Sequence, residues 1–154
     1  MRMQDKVVLV TGGAAGIGRA TALRFAAEGA AVVICDLNQT AGQATAAELG
    51  PQAAFYKVNV TDQADVRQWV AAVIARYGRI DVLVNNAGIV RDGQLVKFKD
   101  GELAGLMSEV DFDLVIGVNL KGVFNCAQAV APAMIQQGSG VILNASSVVG
   151  LDGN

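Results

Sequence analysis

The clearest chemistry in this chain lies in Thr11-Gly12-Gly13-Ala14-Ala15-Gly16-Ile17-Gly18, which joins a short β-branched run, Val7-Val8-Leu9-Val10, to a segment of helical spacing. A strand that feeds a helix through glycines leaves backbone N–H groups unpaired at the helix start. Together with the positive end of the helix dipole, they form a site for phosphate. Gly12 suits the tight turn, Gly16 lets a pyrophosphate approach the backbone, and Gly18 lets helix and strand pack closely. Ala15 and Ile17 are grouped with them as cofactor contacts. The spacing is Gly-x-x-x-Gly-x-Gly, and taken alone it also fits an ordinary turn that binds nothing. A second strand ending in an acid about 20 residues on separates these readings. Ala31-Val32-Val33-Ile34-Cys35-Asp36 supplies it. A carboxylate at Asp36 accepts from both ribose hydroxyls of an adenosine and repels a 2′-phosphate. No Arg or Lys lies within Leu37 to Ala47, so NAD is favoured over NADP.

The elements that must hold these residues follow in regular alternation. In the first helix Ile17, Ala20, Leu23 and Ala27 form one stripe, with Gly29 placed to end it. Thr40 to Leu49 is a second helix, and Ala53 to Val60 a third strand. Asp62 is the expected N-cap of a third helix, on which Val66, Trp69, Val70, Val73 and Tyr77 form the apolar stripe. Ile80 to Asn85 is a fourth strand leading into Asn86-Ala87-Gly88. Val90 to Asp111 reads as an irregular surface excursion, with Arg91, Lys97 and Lys99 solvated or turned toward an anionic carrier arm. Asp113 to Gln136 is a long helix that Pro132 should kink or stop early. Val141 to Ala145 is a fifth strand carrying Ser146-Ser147. The alternation predicts an α/β fold, a Rossmann-type doubly wound parallel sheet truncated after its fifth strand. Ligands bind such sheets beyond the carboxyl ends of the strands, where the glycine turn, Asp36, Asn59-Val60 and Asn86-Ala87-Gly88 all fall.

Composition removes other classes. The 154 residues are 53% hydrophobic and 17% charged, as suits one domain with a sizeable core. A net charge of −2 offers nothing to nucleic acid or an anionic membrane. No apolar run approaches a membrane span, and Met1 to Asp5 lacks a signal-peptide core, so a cytoplasmic protein is expected. Cys35 and Cys126 sit in apolar stretches and read as buried hydrophobes. Histidine is absent, which excludes a Ser-His-Asp triad and nearly all zinc sites, and no metal is expected.

Taken together, Thr11-Gly12-x-x-x-Gly16-x-Gly18, Asn85-Asn86-Ala87-Gly88, Asn119-x-Lys121-Gly122 and Asn144-x-Ser146-Ser147 resemble the short-chain dehydrogenase/reductase family. Asn59-Val60-Thr61-Asp62 and Gly88-Ile89-x-Arg91-Asp92 are similar to its 3-oxoacyl-(acyl-carrier-protein) reductase branch. That branch usually prefers NADP, from which Asp36 departs. The resemblance implies hydride transfer between a nicotinamide and a small-molecule carbonyl or secondary alcohol, including an acyl-carrier or CoA thioester. It implies that Ser147 hydrogen-bonds the substrate oxygen and that Asn119 holds a water in the proton relay. It also places the adenine against Asn59 and Val60, and the nicotinamide ribose against Asn86, Ala87 and Gly88. Dimers or tetramers built on the Asp113 to Gln136 helix follow from the same likeness.

The family's acid is the tyrosine of a Tyr-x-x-x-Lys pair beyond the serine. Here the tyrosines are Tyr56 and Tyr77, both early in the fold. The expectation is therefore a dinucleotide-binding domain over residues 1–154, the N-terminal portion of a longer reductase and inactive by itself. Its fifth strand should stand as an apolar sheet edge. A non-catalytic dinucleotide-sensing module is the alternative.

Overall fold

The apolar runs at Val7, Val32 and Val82 become strands because both faces of the central part of a parallel sheet are covered and reward Val, Ile and Leu. In chain order the elements are β1 (Val7–Thr11), α1 (Gly16–Ala27), β2 (Ala31–Asp36), α2 (Gln39–Leu49), β3 (Ala54–Lys57), α3 (Gln63–Tyr77) and β4 (Val82–Asn85). Then come β5 (Val96–Lys99), β6 (Glu102–Leu106), α4 (Glu109–Ile116), α5 (Gly122–Gln137) and β7 (Val141–Asn144). This computed structural model describes residues 1–147 and Gly150; the remaining residues of the expected 1–154 domain lie outside the described ones.

The main sheet has the order β3-β2-β1-β4-β7, every pair parallel. Alternate residues of β1 divide the core. Val7 and Leu9 pack with Val66, Trp69, Val73, Cys126 and Val130 under α3 and α5. Val8 and Val10 pack with Ala22, Phe25 and Ala46 under α1 and α2. The order reverses between β1 and β4, so a crevice opens at their carboxyl ends. On the outer side of β4, the strand β7 exposes Val141, Ile142 and Leu143, the apolar edge expected of it.

Several expectations need correction. The buried positions of α1 are Gly18 and Ala22, whereas Ile17 is 78% exposed and Ala20 and Ala27 are also exposed. The helix turns its smallest residues inward because it lies too close to β1 for larger ones. The third strand ends at Lys57, not Val60. The Asn59 carboxamide oxygen accepts from the Thr61 N–H and hydroxyl, and the Asn59 N–H donates to Asp65, which bends the chain off the sheet. The fourth begins at Val82, because the Ile80 N–H and carbonyl pair with the Gln137 amide at 2.9 and 2.8 Å.

The excursion after Val90 is not irregular. β5 and β6 form an exposed antiparallel hairpin, closed by Asp100-Gly101 with φ of 54° and 84°. Two consecutive positive φ values match the right-handed twist of the flanking strands. Pro132 neither breaks nor shortens the long helix, which runs from Glu109 to Gln137 and ends at a left-handed Gly138. Its irregularity is a π turn at Gly117–Lys121. The helix has 29 residues, and the 18-residue stretch of it with mean hydropathy 1.4 is long and apolar enough to cross a membrane by length and composition, which the linear apolar runs do not suggest. One face of it, with Asn125, Cys126, Val130 and Met134, is buried against the rest of the chain.

Asp62 caps α3 as expected, accepting from the N–H groups of Ala64 and Asp65. A different acid ties the strands together. Asp81 is buried; its carboxylate accepts from the Val7 N–H at 2.9 Å and is paired with Lys6 and Arg79. Its own N–H donates to the Val7 carbonyl, and its carbonyl accepts from the Val141 N–H. Burial pushes its pKa up, but Arg79, the Val7 N–H and Lys6 together hold it below the ordinary carboxylate range. A carboxyl with a lower pKa folded than unfolded stabilises the fold fully above the unfolded value, about 4, and less as pH falls through the folded one. Asp81→Ala, which leaves the Val7 N–H unpaired, is expected to cost about 1–3 kcal/mol in urea unfolding at pH 7. That difference from the parent should shrink below about pH 4.

Candidate functional site

At the carboxyl end of β1 the chain has no room for side chains. Gly12 has φ of 63°, and a Cβ there would sit 2.9 Å from the Ala87 Cα. One on Gly13 would sit 2.6 Å from the Ile34 Cβ, and one on Gly18 would overlap the Gly12 carbonyl oxygen and the Asn86 amide. Gly16 is the opposite case: φ is 54° and nothing lies within 4 Å of its Cβ position. Ala15 stands at the N-cap of α1 and makes no side-chain cap, and the first turn carries no acid. Donors at a helix start that no side chain satisfies suit a phosphate.

The turn is braced from three sides. Thr45 on α2 donates to the Ala14 carbonyl at 2.9 Å, and the Gly13 N–H donates to the Cys35 carbonyl. The Asp36 carboxylate accepts from the Ala14 N–H at 3.2 Å and the Asn38 N–H at 3.0 Å. Each of its oxygens keeps a further lone pair for a ligand hydroxyl. The Thr11 hydroxyl accepts from the N–H groups of Asn86 and Ala87, while the Asn86 amide donates to the carbonyls of Thr11 and Gly12. Asn86 thus ties β4 to the glycine turn.

These contacts gather Gly12, Asp36, Asn59, Val60, Ala87 and Gly88 around one cavity of about 160 Å³. Leu37, Val58, Ile89 and Val118 also line it, and the sequence reading assigned them no site role. Their signal is positional: Leu37, Val58 and Ile89 adjoin residues read at strand ends, and Val118 precedes Asn119. Gly16 and Ile17 stand exposed at the start of α1, outside that cavity. Asn119, in the π turn, reaches its rim through Ile89. Its oxygen accepts from the Ile89 N–H and its amide donates to the Ile89 carbonyl, both at 2.9 Å. Ser147 is exposed beyond β7, and its carbonyl accepts from the Gly150 N–H; it does not line the cavity.

The remaining chemistry is quiet. Cys35 and Cys126 are free and buried; burial pushes the Cys35 thiol well up and that of Cys126 to about 12. Both stay protonated at neutral pH, as small hydrophobes do. The Tyr77 hydroxyl donates to the Gln52 carbonyl ahead of β3, at the amino end of the sheet, and burial raises its pKa. No metal-holding cluster occurs among the described residues. A more open groove of about 750 Å³ runs along α1 past Met3, Ile17 and Phe25, where Arg2 and Arg24 are already paired with Glu28.

A family model described as short chain dehydrogenase matches residues 6–154. A 3-oxoacyl-(acyl-carrier-protein) reductase of Thermotoga maritima is 49% identical over 100% of this chain and 60% of its own length. One from Staphylococcus aureus is 42% identical over 97% of this chain and 58% of its own. A sorbitol dehydrogenase of Cereibacter sphaeroides is 41% identical over 99% and 57%. The chain thus spans somewhat under two thirds of the length of these relatives.

The last two glycines of the turn should respond differently to a methyl group. Gly18→Ala is expected to cost about 3 kcal/mol or more, because the added carbon meets backbone that cannot yield. Gly16→Ala has space and should lose only about 1–2 kcal/mol, from its left-handed φ. Urea unfolding of the two variants checks this, and equal losses would contradict it.

Proposed function

The chain belongs to the short-chain dehydrogenase family, and we propose that residues 1–154 are the dinucleotide-binding part of an NAD(H)-dependent oxidoreductase that interconverts a carbonyl and a secondary alcohol. One observation carries this reading: the uncapped start of α1, bare at Gly16, lies beside a cavity lined by Asp36, Asn59, Val60, Ala87 and Gly88 at the reversal point of the sheet. The residues fit the group. The N–H groups of Gly16, Ile17 and Gly18 would hold the diphosphate, and the absent Cβ of Gly16 would let it lie against the backbone. Asp36 would accept from the adenosine ribose hydroxyls, and its charge would repel a 2′-phosphate. Asn59 and Val60 would border the adenine, and Ala87 with Gly88 the nicotinamide ribose. When bound, the nicotinamide supplies the hydride.

Asn119 and Ser147 complete the proposed set. Asn119 fixes the Ile89 backbone at the cavity rim and, through its place in the π turn, would order the proton path. The Ser147 hydroxyl would donate to the substrate oxygen as negative charge develops there. The names of two relatives support a 3-oxoacyl thioester on an acyl carrier as substrate, and the third supports a polyol. Arg91 is paired with Asp111 at 3.7 Å, which leaves Lys97 and Lys99 on the exposed hairpin as the cations for such a carrier. The exposed Val110, Leu114, Leu120 and Phe124 of the long helix support a homo-oligomer built on it. The reading suits a cytoplasmic enzyme.

NADH should bind at least about tenfold tighter than NADPH by fluorescence titration, and Asp36→Ala should narrow that ratio. A preference for NADPH in the parent chain would overturn the assignment of Asp36. A polypeptide of these 154 residues, with tyrosine only at 56 and 77, is expected to bind NADH and to show no ketone reduction above background. Robust turnover by that polypeptide would refute the need for a tyrosine acid supplied from elsewhere.

A further inference from the structure

We propose that Asn125 is a positioning residue for the adenine end of the dinucleotide site, an inference that rests on the reading above. Asn125 lies on α5 and is 1% exposed, among apolar neighbours that include Cys126 and Val130. Its amide nitrogen donates to the Val60 carbonyl at 2.9 Å, and its oxygen has no partner among the described residues. The chemistry fixes this orientation, because the flipped amide would set two acceptors against each other.

An asparagine buried with half its amide unpaired is a costly choice for packing alone. An apolar side chain of the same size would fill the position without that cost. What the amide adds is a grip on one peptide group, and that group belongs to the cavity wall. Val60 lines the cavity next to Asn59, whose side chain is turned by the bonds to Thr61.

Gly122, one turn earlier on the same face of α5, acts with Asn125. A Cβ on Gly122 would lie 2.8 Å from the Val60 Cγ2, so its absence lets the helix come close enough for the amide to reach. The same continuous helix carries Asn119, which holds Ile89 at the opposite wall. Asn119 and Asn125 thereby set the distance between the two walls of the crevice from one rigid element. Asn125 governs the side on which the adenine would rest.

The test is a calorimetric titration of ADP, which carries the adenine and diphosphate but no nicotinamide, into the parent protein and variants. Asn125→Leu keeps the number and branching of the side-chain heavy atoms and removes the donor; it is expected to weaken ADP binding about tenfold. Val73→Ala, a buried α3 position away from the cavity, serves as a control for lost stability and should keep ADP affinity within about twofold. Should the leucine variant fail to fold, Asn125→Ser, whose hydroxyl is too short to reach the Val60 carbonyl, is read against the same limits. Loss of less than about threefold in the folded Asn125 variant, or an equal loss in Val73→Ala, overturns the inference and leaves the dinucleotide reading intact. A parent protein that binds no ADP overturns the dinucleotide reading itself.

Discussion

No side chain fits between the first helix and the turn that launches it. Gly18 lies so close to Gly12 that a single added carbon would overlap the Gly12 carbonyl oxygen. That approach brings the amino end of α1 against the carboxyl end of β1, and every other part of the site is arranged around it. The price is a helix face made of Gly18 and Ala22, which contributes little apolar area. Phe25, Ala26 and the α2 residues Ala46 and Leu49 make up part of the deficit on the same side of the sheet.

The two ends of the sheet divide the labour. At the amino ends of β1, β4 and β7, Asp81 joins three strands through its carboxylate, its N–H and its carbonyl, with Lys6 and Arg79 balancing its charge. This is a stability device, at the end of the sheet opposite the cavity that Asp36 lines. At the carboxyl ends the polar groups are spread among short turns: Thr11, Asp36, Asn59 and Asn86 each bond to nearby backbone. Such bonds hold the turns in place and leave Asp36 with acceptor capacity for a ligand. The long helix then spans both walls of the crevice, and the π turn at Gly117–Lys121 is where its backbone departs from regular winding to present Asn119.

Much of this was legible in the residues. Short apolar runs such as Val7 to Val10 and Val32 to Ile34, separated by helical stripes, favour a parallel layered sheet, and the five main strands and their alternation with helices follow from that, while Asp62 was readable as a cap from its residue type ahead of a helical stripe. The separate roles of Gly12, Gly16 and Gly18 were readable too, since their order in the turn separates a left-handed position, a bare position and a close contact. Less legible were the hairpin, hidden by the glycines around its Asp-Gly turn, and the course of the long helix through Pro132. Local composition disfavours a proline there, but packing of Val130 and Met134 on the sheet carries the helix past it.

By itself the sequence determined the fold class, the glycine turn and the acid at the end of the second strand, because these depend on local periodicity and on residues without side chains. Only the tertiary structure decided which face of α1 is buried, that Asn119 and Asn125 grip Ile89 and Val60, and that Thr11, Thr45 and Asn86 brace the turn. Those facts join residues 30 to 75 positions apart, or rest on how near two elements lie. A hydrogen bond between distant residues leaves no periodic trace in the chain; it exists only once the sheet has set the spacing between its ends.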